Sequence, residues 1–516
     1  MNRPFMKFIL TFGALTFLWI GSGLLPAMAA QNNTTPTEEG VDVLTYGPIH
    51  EAFAETVQFD PEPGIIVPKA PPDTIQEIPP EQKPEGDVDW VPGYWAWDDD
   101  RADFIWVSGI WRAIPPDRQW VPGYWFKSGN GFQWVSGYWA LDKATDTEYL
   151  PEPPESVEVG PNIGAPSPNH GWIPGSWVWV QGRYAWQPGY WAVMQPDWIW
   201  VPAHYVWTPR GYIFVGGYWD FSIVHRGVLF APVYFSLGVP VMPGFYFTPS
   251  FIVNLGVFSD LIFLRPRYHH YYFGDYYAPS YYRKGIYPWF SPHAKRRGYD
   301  PIYAHQRWRN RNDRNWETRL QATYQNRRNH VEARPPRKLY DVGKPGITVA
   351  LPKTGGGKIV TPVPPVIKVG KGPTGFRPVS KKERVQIDRQ GKEVRNYIDK
   401  RQKFETQKII TPPVGSSKKP APNKVRYPQS PIASKPVTPV DIKKAPPNLY
   451  KSPKPNPSVE PLQRRSTDYR VKSNVEKPLP VDRGQNKTFN GNLPNSRGQS
   501  NTFNTNPPNG RGRNPY

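Results

Sequence analysis

The sequence predicts an all-β repeat core, an antiparallel meander of about eight strands in two four-strand blocks, followed by one amphipathic helix and a long disordered basic tail. Three observations carry that expectation. A W-x-x-G-x-W pattern recurs, mostly every 14 residues, from Trp90 to Trp219, and 18 of the 22 tryptophans fall in that span. The stretches between copies, such as "DDDRAD", "IPPDRQ", "KSGNG" and "TPRG", are rich in Asp, Asn, Pro and Gly, residues whose backbone preferences suit tight turns. Past Pro335 the composition becomes too polar to bury a core.

Residues 1–30 read as an export signal: Arg3 and Lys7 open it, "FILTFGALTFLWIGSGLL" is its apolar stretch, and "AMAA" offers the small residues of a cleavage site. The expected location is exported, whether periplasmic, cell-envelope or secreted. Residues 31–89 follow as an acidic, Pro-rich segment. The chain has no cysteine, so a disulfide and a thiolate metal site are both excluded.

The first block, residues 90–141, holds four copies: Trp90, Gly93 and Trp95; Trp106, Gly109 and Trp111; Trp120, Gly123 and Trp125; Trp134, Gly137 and Trp139. A Pro-rich linker, 142–171, leads to the second block, 172–258. That block opens with Trp172, Gly175 and Trp177, then Trp186, Gly189 and Trp191. Two weaker copies follow. One has Trp200 with Ala203 in the glycine position, and the other has Gly217 and Trp219 with Phe214 in place of the leading tryptophan. "FAPVYF" at 230–235 reads as an eroded ninth copy.

Trp, Tyr, Val and Ile suit a half-buried pleated surface, so each period predicts one strand and one turn. The first and sixth positions of the motif would face opposite sides of an unbroken strand. A bulge at the Pro-Gly or Ser-Gly pair would return both tryptophans to one face, with glycine supplying unusual backbone angles. The alternative, a two-residue hairpin turn at Pro-Gly, conflicts with the primed turns that such hairpins prefer. Trp95 is then expected beside Trp106 and Trp125 beside Trp134, in a cross-strand aromatic ladder that makes the motif residues structural.

On "WVPGYWAWDDDRADFIWVSGIWRAIPPDRQWVPGYW" and "YAWQPGYWAVMQPDWIWVPAHYVWTPRGYIFVGGYW" the chain resembles the W-x-x-G-x-W (Y-x-W-G-x-W) repeat proteins, exported bacterial proteins found notably among planctomycetes. Flanks such as "HEAFAETVQFDPEPGIIVPKAPP" and "DPIYAHQRW" add to a likeness covering about residues 41–340. The resemblance implies an exported compartment and no established activity. Ala203 and Phe214 depart from the pattern, so the last strands are expected to lack the bulge.

Residues 259–334 comprise a Tyr-rich segment, read as an irregular wrap over the β core, and an Arg-rich helix between Pro301 and Pro335 with Trp308, Trp316, Leu320 and Tyr324 on one face. Residues 335–516 are read as a disordered Pro/Lys/Asn-rich tail. Within it Ser380 and Glu383 form a capping box, ahead of a helix expected to settle on a partner.

Charge is split along the chain: residues 31–240 hold 10 Lys plus Arg against 26 Asp plus Glu, and residues 241–516 hold 52 against 17. A basic tail on an acidic body predicts contact with a polyanion. No nucleophile elbow, H-E-x-x-H or phosphate-binding loop is present, so no enzyme activity, cofactor or metal is expected. His269 and His270 beside Asp275 could form a metal site, but a solvated surface is the favoured reading. Asp98, Asp99, Asp100 and Asp103 could hold calcium but lack the spacing of an EF-hand loop and read as a solvated acidic turn. The leading function is a structural or scaffold protein of the cell envelope whose basic tail meets an anionic polymer or membrane surface. A carbohydrate-binding module using exposed Trp and Tyr is the alternative. Nucleic-acid binding by the tail is the third class, and the export signal argues against it.

Overall fold

Each repeat copy folds as extended chain broken for two residues at its central pair, and consecutive copies zip together two by two. The first hairpin joins Asp89–Val91 to Ile110–Arg112 and Tyr94–Asp98 to Asp103–Val107. The second joins Arg118–Val121 to Tyr138–Leu141 and Tyr124–Ser128 to Gly131–Val135. The third joins His170–Ile173 to Tyr190–Val193 and Ser176–Val180 to Arg183–Gln187. The fourth joins Trp198–Val201 to Tyr218–Phe221 and His204–Thr208 to Gly211–Val215. The antiparallel all-β core is therefore present, built as four hairpins in place of one continuous meander. Among the described residues no strand of one repeat hairpin pairs with another.

This computed structural model describes residues 40–143, 146–236, 245–256, 258–291, 298–339, 366–368, 376–407 and 423–434, with 238 and 240. Residues 1–39, which include the stretch read as an export signal, and the final 82 residues, 435–516, lie outside them. All the described residues fall within one compact unit, and none of their helices is long and apolar enough to cross a membrane.

Edges of the first two hairpins are covered by other strands of the chain, Ile66–Val67 pairing with Gly131–Val135 of the second, which relieves their unpaired backbone groups. Around the stretch read as an eroded ninth copy, Gly227–Leu229 and Val233–Phe235, separated by a break, run along the first hairpin, and Val41–Val43 adds beyond them. The first and second hairpins are each joined to the fourth by a buried arginine. Arg112, at the end of the first, donates two hydrogen bonds of 2.6 and 2.7 Å to Asp220 of the fourth. Arg118, in the second, donates to the carbonyls of Gly216 and Gly217 and stacks 4.5 Å from the Tyr218 ring. A planar guanidinium suits such sites because it offers several donors and a flat face at once.

The acidic N-terminal segment is far more than a leader to the repeats: every residue from 41 to 54 except Asp42 is buried. The Tyr-rich segment also forms regular structure, a four-stranded sheet in the order Gly47–Pro48, His270–Phe273, Ile262–Arg265, Tyr287–Pro288. The expected single Arg-rich helix is two, Pro301–Arg309 and Trp316–Asn329, divided by a turn in which the Asp313 carboxylate accepts from the Asn315 amide. The break sends Trp308 into a cluster with Met194 and Trp219, while Trp316, Leu320 and Tyr324 pack on the main core.

The region read as a disordered tail contributes ordered elements too. Lys381–Glu405 is a helix opened by the Ser380–Glu383 capping box. Phe376–Pro378 pairs with Gln82–Pro84, and Asn423–Arg426 pairs with Asp146–Tyr149. The partner on which the helix settles is this chain itself, through buried Val394, Tyr397, Arg401 and Glu405.

Candidate functional site

The breaks in the hairpins hold the most specific chemistry in the molecule. Register is unchanged across each one: Val91 pairs with Ile110 and Tyr94 with Val107, leaving two residues between on both strands. A bulge adds a residue to one strand only, so the expected bulge is corrected to a matched interruption of both strands. The fourth hairpin keeps its break as well, between Val201 and His204 and between Val215 and Tyr218.

Tryptophans pair directly across the strands, leading ring against trailing ring. Ring centroids lie 5.1 Å apart in Trp90–Trp111 and Trp120–Trp139, 5.2 Å in Trp95–Trp106 and Trp200–Trp219, 5.3 Å in Trp177–Trp186, and 5.4 Å in Trp125–Trp134 and Trp172–Trp191. Most are edge to face, the arrangement that the quadrupoles of aromatic rings favour.

The glycines are required by space and not by dihedral angle, since none of Gly93, Gly109, Gly123, Gly137, Gly175, Gly189 and Gly217 has φ in the left-handed region. A Cβ on Gly137 would sit 2.4 Å from Cζ2 of Trp120 and 2.8 Å from the Val121 carbonyl; on Gly123, 2.4 Å from Cζ2 of Trp134 and 2.6 Å from the Val135 carbonyl. The leading indole of each strand thus fills the place where a side chain of the facing glycine would be. Only hydrogen fits there.

The same close approach makes a carboxylate grip. In the second hairpin Trp134 Nε1 donates to Glu51 Oε1 at 2.9 Å and the Gly137 amide to Oε2 at 3.0 Å. In the third, Trp172 Nε1 donates to Glu158 Oε1 at 3.1 Å and the Gly175 amide to Oε2. In the first, Trp106 Nε1 and the Gly109 amide donate to Glu77 Oε1 at 3.0 and 2.9 Å, and the Gly93 amide to Oε2 at 2.8 Å. In each case an indole N–H and an amide three residues later in the same copy hold one glutamate. In these three copies the W-x-x-G half of the motif is therefore a cradle for a glutamate carboxyl group, and the tryptophan-to-tryptophan spacing is the cross-strand ladder.

Two of these glutamates lie on similar segments, "PPDTIQEI" from Pro71 and "PPESVEV" from Pro153. Each runs as an extended strap over its hairpin, and each gives a carbonyl to a trailing indole: Asp73 to Trp95 and Glu155 to Trp177, both at 3.0 Å. That repeated proline-flanked acidic pattern was the available signal for Glu77 and Glu158. Glu51, in "HEAF", has no counterpart.

The fourth hairpin explains its own irregularities. By register its facing positions are Ala203 and Phe214, so where an indole would stand there is a smaller ring, which packs on Tyr205 at 5.2 Å. Neither half-motif can grip a carboxylate in the usual way: Phe214 has no N–H, and Trp200 Nε1 is buried with no hydrogen-bond partner among the described residues.

A cleft of about 510 Å³ lies between the breaks of the first two hairpins, the strap at 71–79 and one face of Lys381–Glu405. Burial pushes Glu51 up to about 8 and Glu77 up to about 7, against the pull of their N–H donors. His50 and His270 are held neutral by burial, down to about 4 and about 3. Their tautomers follow from their partners: His50 Nε2–H donates to the Pro92 carbonyl and its Nδ1 accepts from the Ala52 amide, while His270 Nδ1–H donates to the Tyr268 carbonyl and its Nε2 accepts from Tyr94. Tyr94 in turn accepts from the Glu51 amide. The network is closed, and every group in it orients another.

The remaining candidate sites resolve into contacts within the chain. His270 is fully buried, and His269 sits in the left-handed region with Nδ1 against Gln58. Among the described residues no group of three His, Asp or Glu is placed to hold a metal. The acidic turn is not simply solvated. Asp99 pairs with Arg265 at 2.6 Å, Asp100 with Lys284 and Arg337 at 2.9 and 2.8 Å, and Asp103 with Lys69 at 2.5 Å.

The family model described as the WXXGXW repeat matches residues 90–112, 120–140, 168–192 and 196–220, one hairpin to each match. The repeat family expected from the sequence is thus the one found. No curated protein and no solved structure gives a significant match to the chain.

Proposed function

We propose that this chain, which carries WXXGXW repeats, is a non-catalytic, exported structural protein of the cell envelope: a rigid β body with a basic C-terminal segment that binds a surface polyanion. One observation carries the reading. The indole N–H groups of Trp106, Trp134 and Trp172 are spent on Glu77, Glu51 and Glu158 of the same chain, and the motif tryptophans of the first block are 9% exposed or less, as befits parts that hold a body together.

The structure also narrows which basic residues are free for a partner. Arg377, Arg384, Arg401, Lys424 and Arg426 are engaged with carboxylates of the chain itself. Residues 435–516 retain 15 Lys plus Arg against 5 Asp plus Glu, a density that favours anionic lipid headgroups or an acidic polysaccharide and weakens with salt. Sedimentation of the protein with envelope fragments tests this. The full chain should pellet at low salt and be released at high salt, and a chain ending at residue 434 should stay in solution. Retention indifferent to both changes would refute the tether.

A second reading, glycan binding, is favoured by the tryptophan-lined cleft beside the first two hairpins. Its test is the tryptophan emission of the full chain against a panel of acidic and neutral glycans, where an unchanged spectrum throughout excludes it.

A further inference from the structure

The three gripped glutamates are not equally enclosed. Glu51 and Glu77 line the cleft beneath the helix Lys381–Glu405, whereas the strap that carries Glu158 lies on the outside of the molecule: no residue from 151 to 169 is buried. Val157, Val159 and Ile163 on it are 55, 76 and 67% exposed. The third hairpin beneath is itself only half-buried, with Val180 and Val193 exposed on its strands.

What holds the strap is a short set of hydrogen bonds. Trp172 Nε1 and the Gly175 amide grip Glu158, Trp177 Nε1 donates to the Glu155 carbonyl, the Tyr184 hydroxyl to the Pro151 carbonyl, Trp191 Nε1 to the Ile163 carbonyl at 3.1 Å, and the Ser156 amide to Asp60. This is the same recognition that the first hairpin applies to its own strap, but with no second layer over it. The segment that follows, "GAPSPN" at 164–169, is the kind of short connection through which identical elements exchange between copies.

We propose that the third repeat hairpin is a docking site for the 151–163 strap of a second copy of this chain, so that copies associate by strap exchange through the Glu158 cradle. The second copy is the occupant because it carries, by identity, a ligand whose fit is already displayed within one chain. The idea rests on the structural-protein reading, giving the body a way to assemble; its test does not involve the envelope, so either can fail alone.

The test is complementation between two full-length variants. Glu158→Ala leaves the cradle intact and vacant. Gly175→Val leaves the strap intact but displaces the cradle's amide, because a side chain there meets Trp186 Cζ2 at 2.6 Å and the Gln187 carbonyl at 2.7 Å on the facing strand. Each variant alone should sediment as one copy and their mixture as a particle of twice the mass. Excess peptide of residues 151–163 should dissolve the pair, and the same peptide with Glu158→Gln should do so at least tenfold less well. Trp172→Phe, which removes one donor without adding bulk, replaces Gly175→Val should that chain misfold on circular dichroism. A mixture that stays at single mass while both chains are folded overturns the proposal, as does a pair that the two peptides dissolve equally.

Discussion

At the scale of the residue, the repeat is decided by one missing Cβ. Gly137→Ala should destabilise the protein by roughly 1–3 kcal/mol, the usual cost of forcing atoms into a filled site, read from denaturant unfolding with no change in helix content. Ala203 and Phe214 offer a sharper test because they depart from the motif together. Phe214→Trp alone should be destabilising by a similar amount, and Ala203→Gly alone nearly neutral. The double variant should recover most of the loss, since a glycine makes room for the indole; a coupling energy near zero would contradict the packing of indole against glycine. The sequence already displayed the tryptophan pairs, because Trp95 and Trp106 are brought together by any antiparallel return at that spacing. It displayed the glycine but not its reason, since backbone permissiveness and absence of volume leave the same letter. Glu51 was hidden for a different reason: it completes its cradle from 86 positions away, at Gly137.

At the scale of the element, the helix Lys381–Glu405 shows how far local signals reach. Its start was legible, because Ser380 and Glu383 satisfy each other's backbone donors whatever the helix packs on. Its destination was not. Arg401 and Glu405 look like an ordinary surface pair four residues apart, yet both are 1% exposed. Arg401 donates to the carbonyls of Pro122 and Ser136 at 2.8 and 3.1 Å, while Glu405 accepts from Tyr124 and Tyr149 at 2.6 and 2.8 Å. Removing one partner strands the other in a dry site, which costs about 3–5 kcal/mol. Arg401→Ala should therefore release the helix, with limited proteolysis cutting between residues 376 and 407 at rates at least tenfold above the parent. Lys392→Ala, which breaks an exposed pair with Asp388, should leave the digestion pattern unchanged.

At the scale of the whole molecule, buried acids and buried histidines set opposite limits on stability. Glu51, Glu77 and Asp300 keep their protons when folded to about pH 8, 7 and 7, while the unfolded chain loses them near 4.5, 4.5 and 3.8. Between those values the folded state binds more protons, so stability falls as pH rises. His50, His270 and His305 stay neutral when folded to about pH 4, 3 and 4, whereas the unfolded chain takes up protons below 6.5. Stability therefore also falls as the medium is acidified below that point. The melting temperature should be highest between about pH 4.5 and 6.5 and decline toward pH 8, and Glu77→Gln should lessen the alkaline decline. A melting temperature that climbs steadily from pH 6.5 to 8 would contradict this balance.

The charge split along the sequence was legible, but its meaning was partly internal. Much of the basic half answers the acidic half within the body, as Arg265, Lys284 and Arg337 do at the Asp98–Asp103 turn. A chain-wide tally of charge cannot separate such pairs from residues left for a partner.

The most direct measurement concerns the grip that joins the two halves of the motif. In the protein labelled with ¹⁵N at tryptophan and glycine, Glu158→Ala should shift the Trp172 indole and Gly175 amide resonances together, toward the values of unbonded N–H groups, while the Trp200 indole stays in place. If both resonances of the third hairpin are unmoved, then W-x-x-G does not hold a carboxylate, and the tryptophan and glycine of the repeat are joined by packing alone.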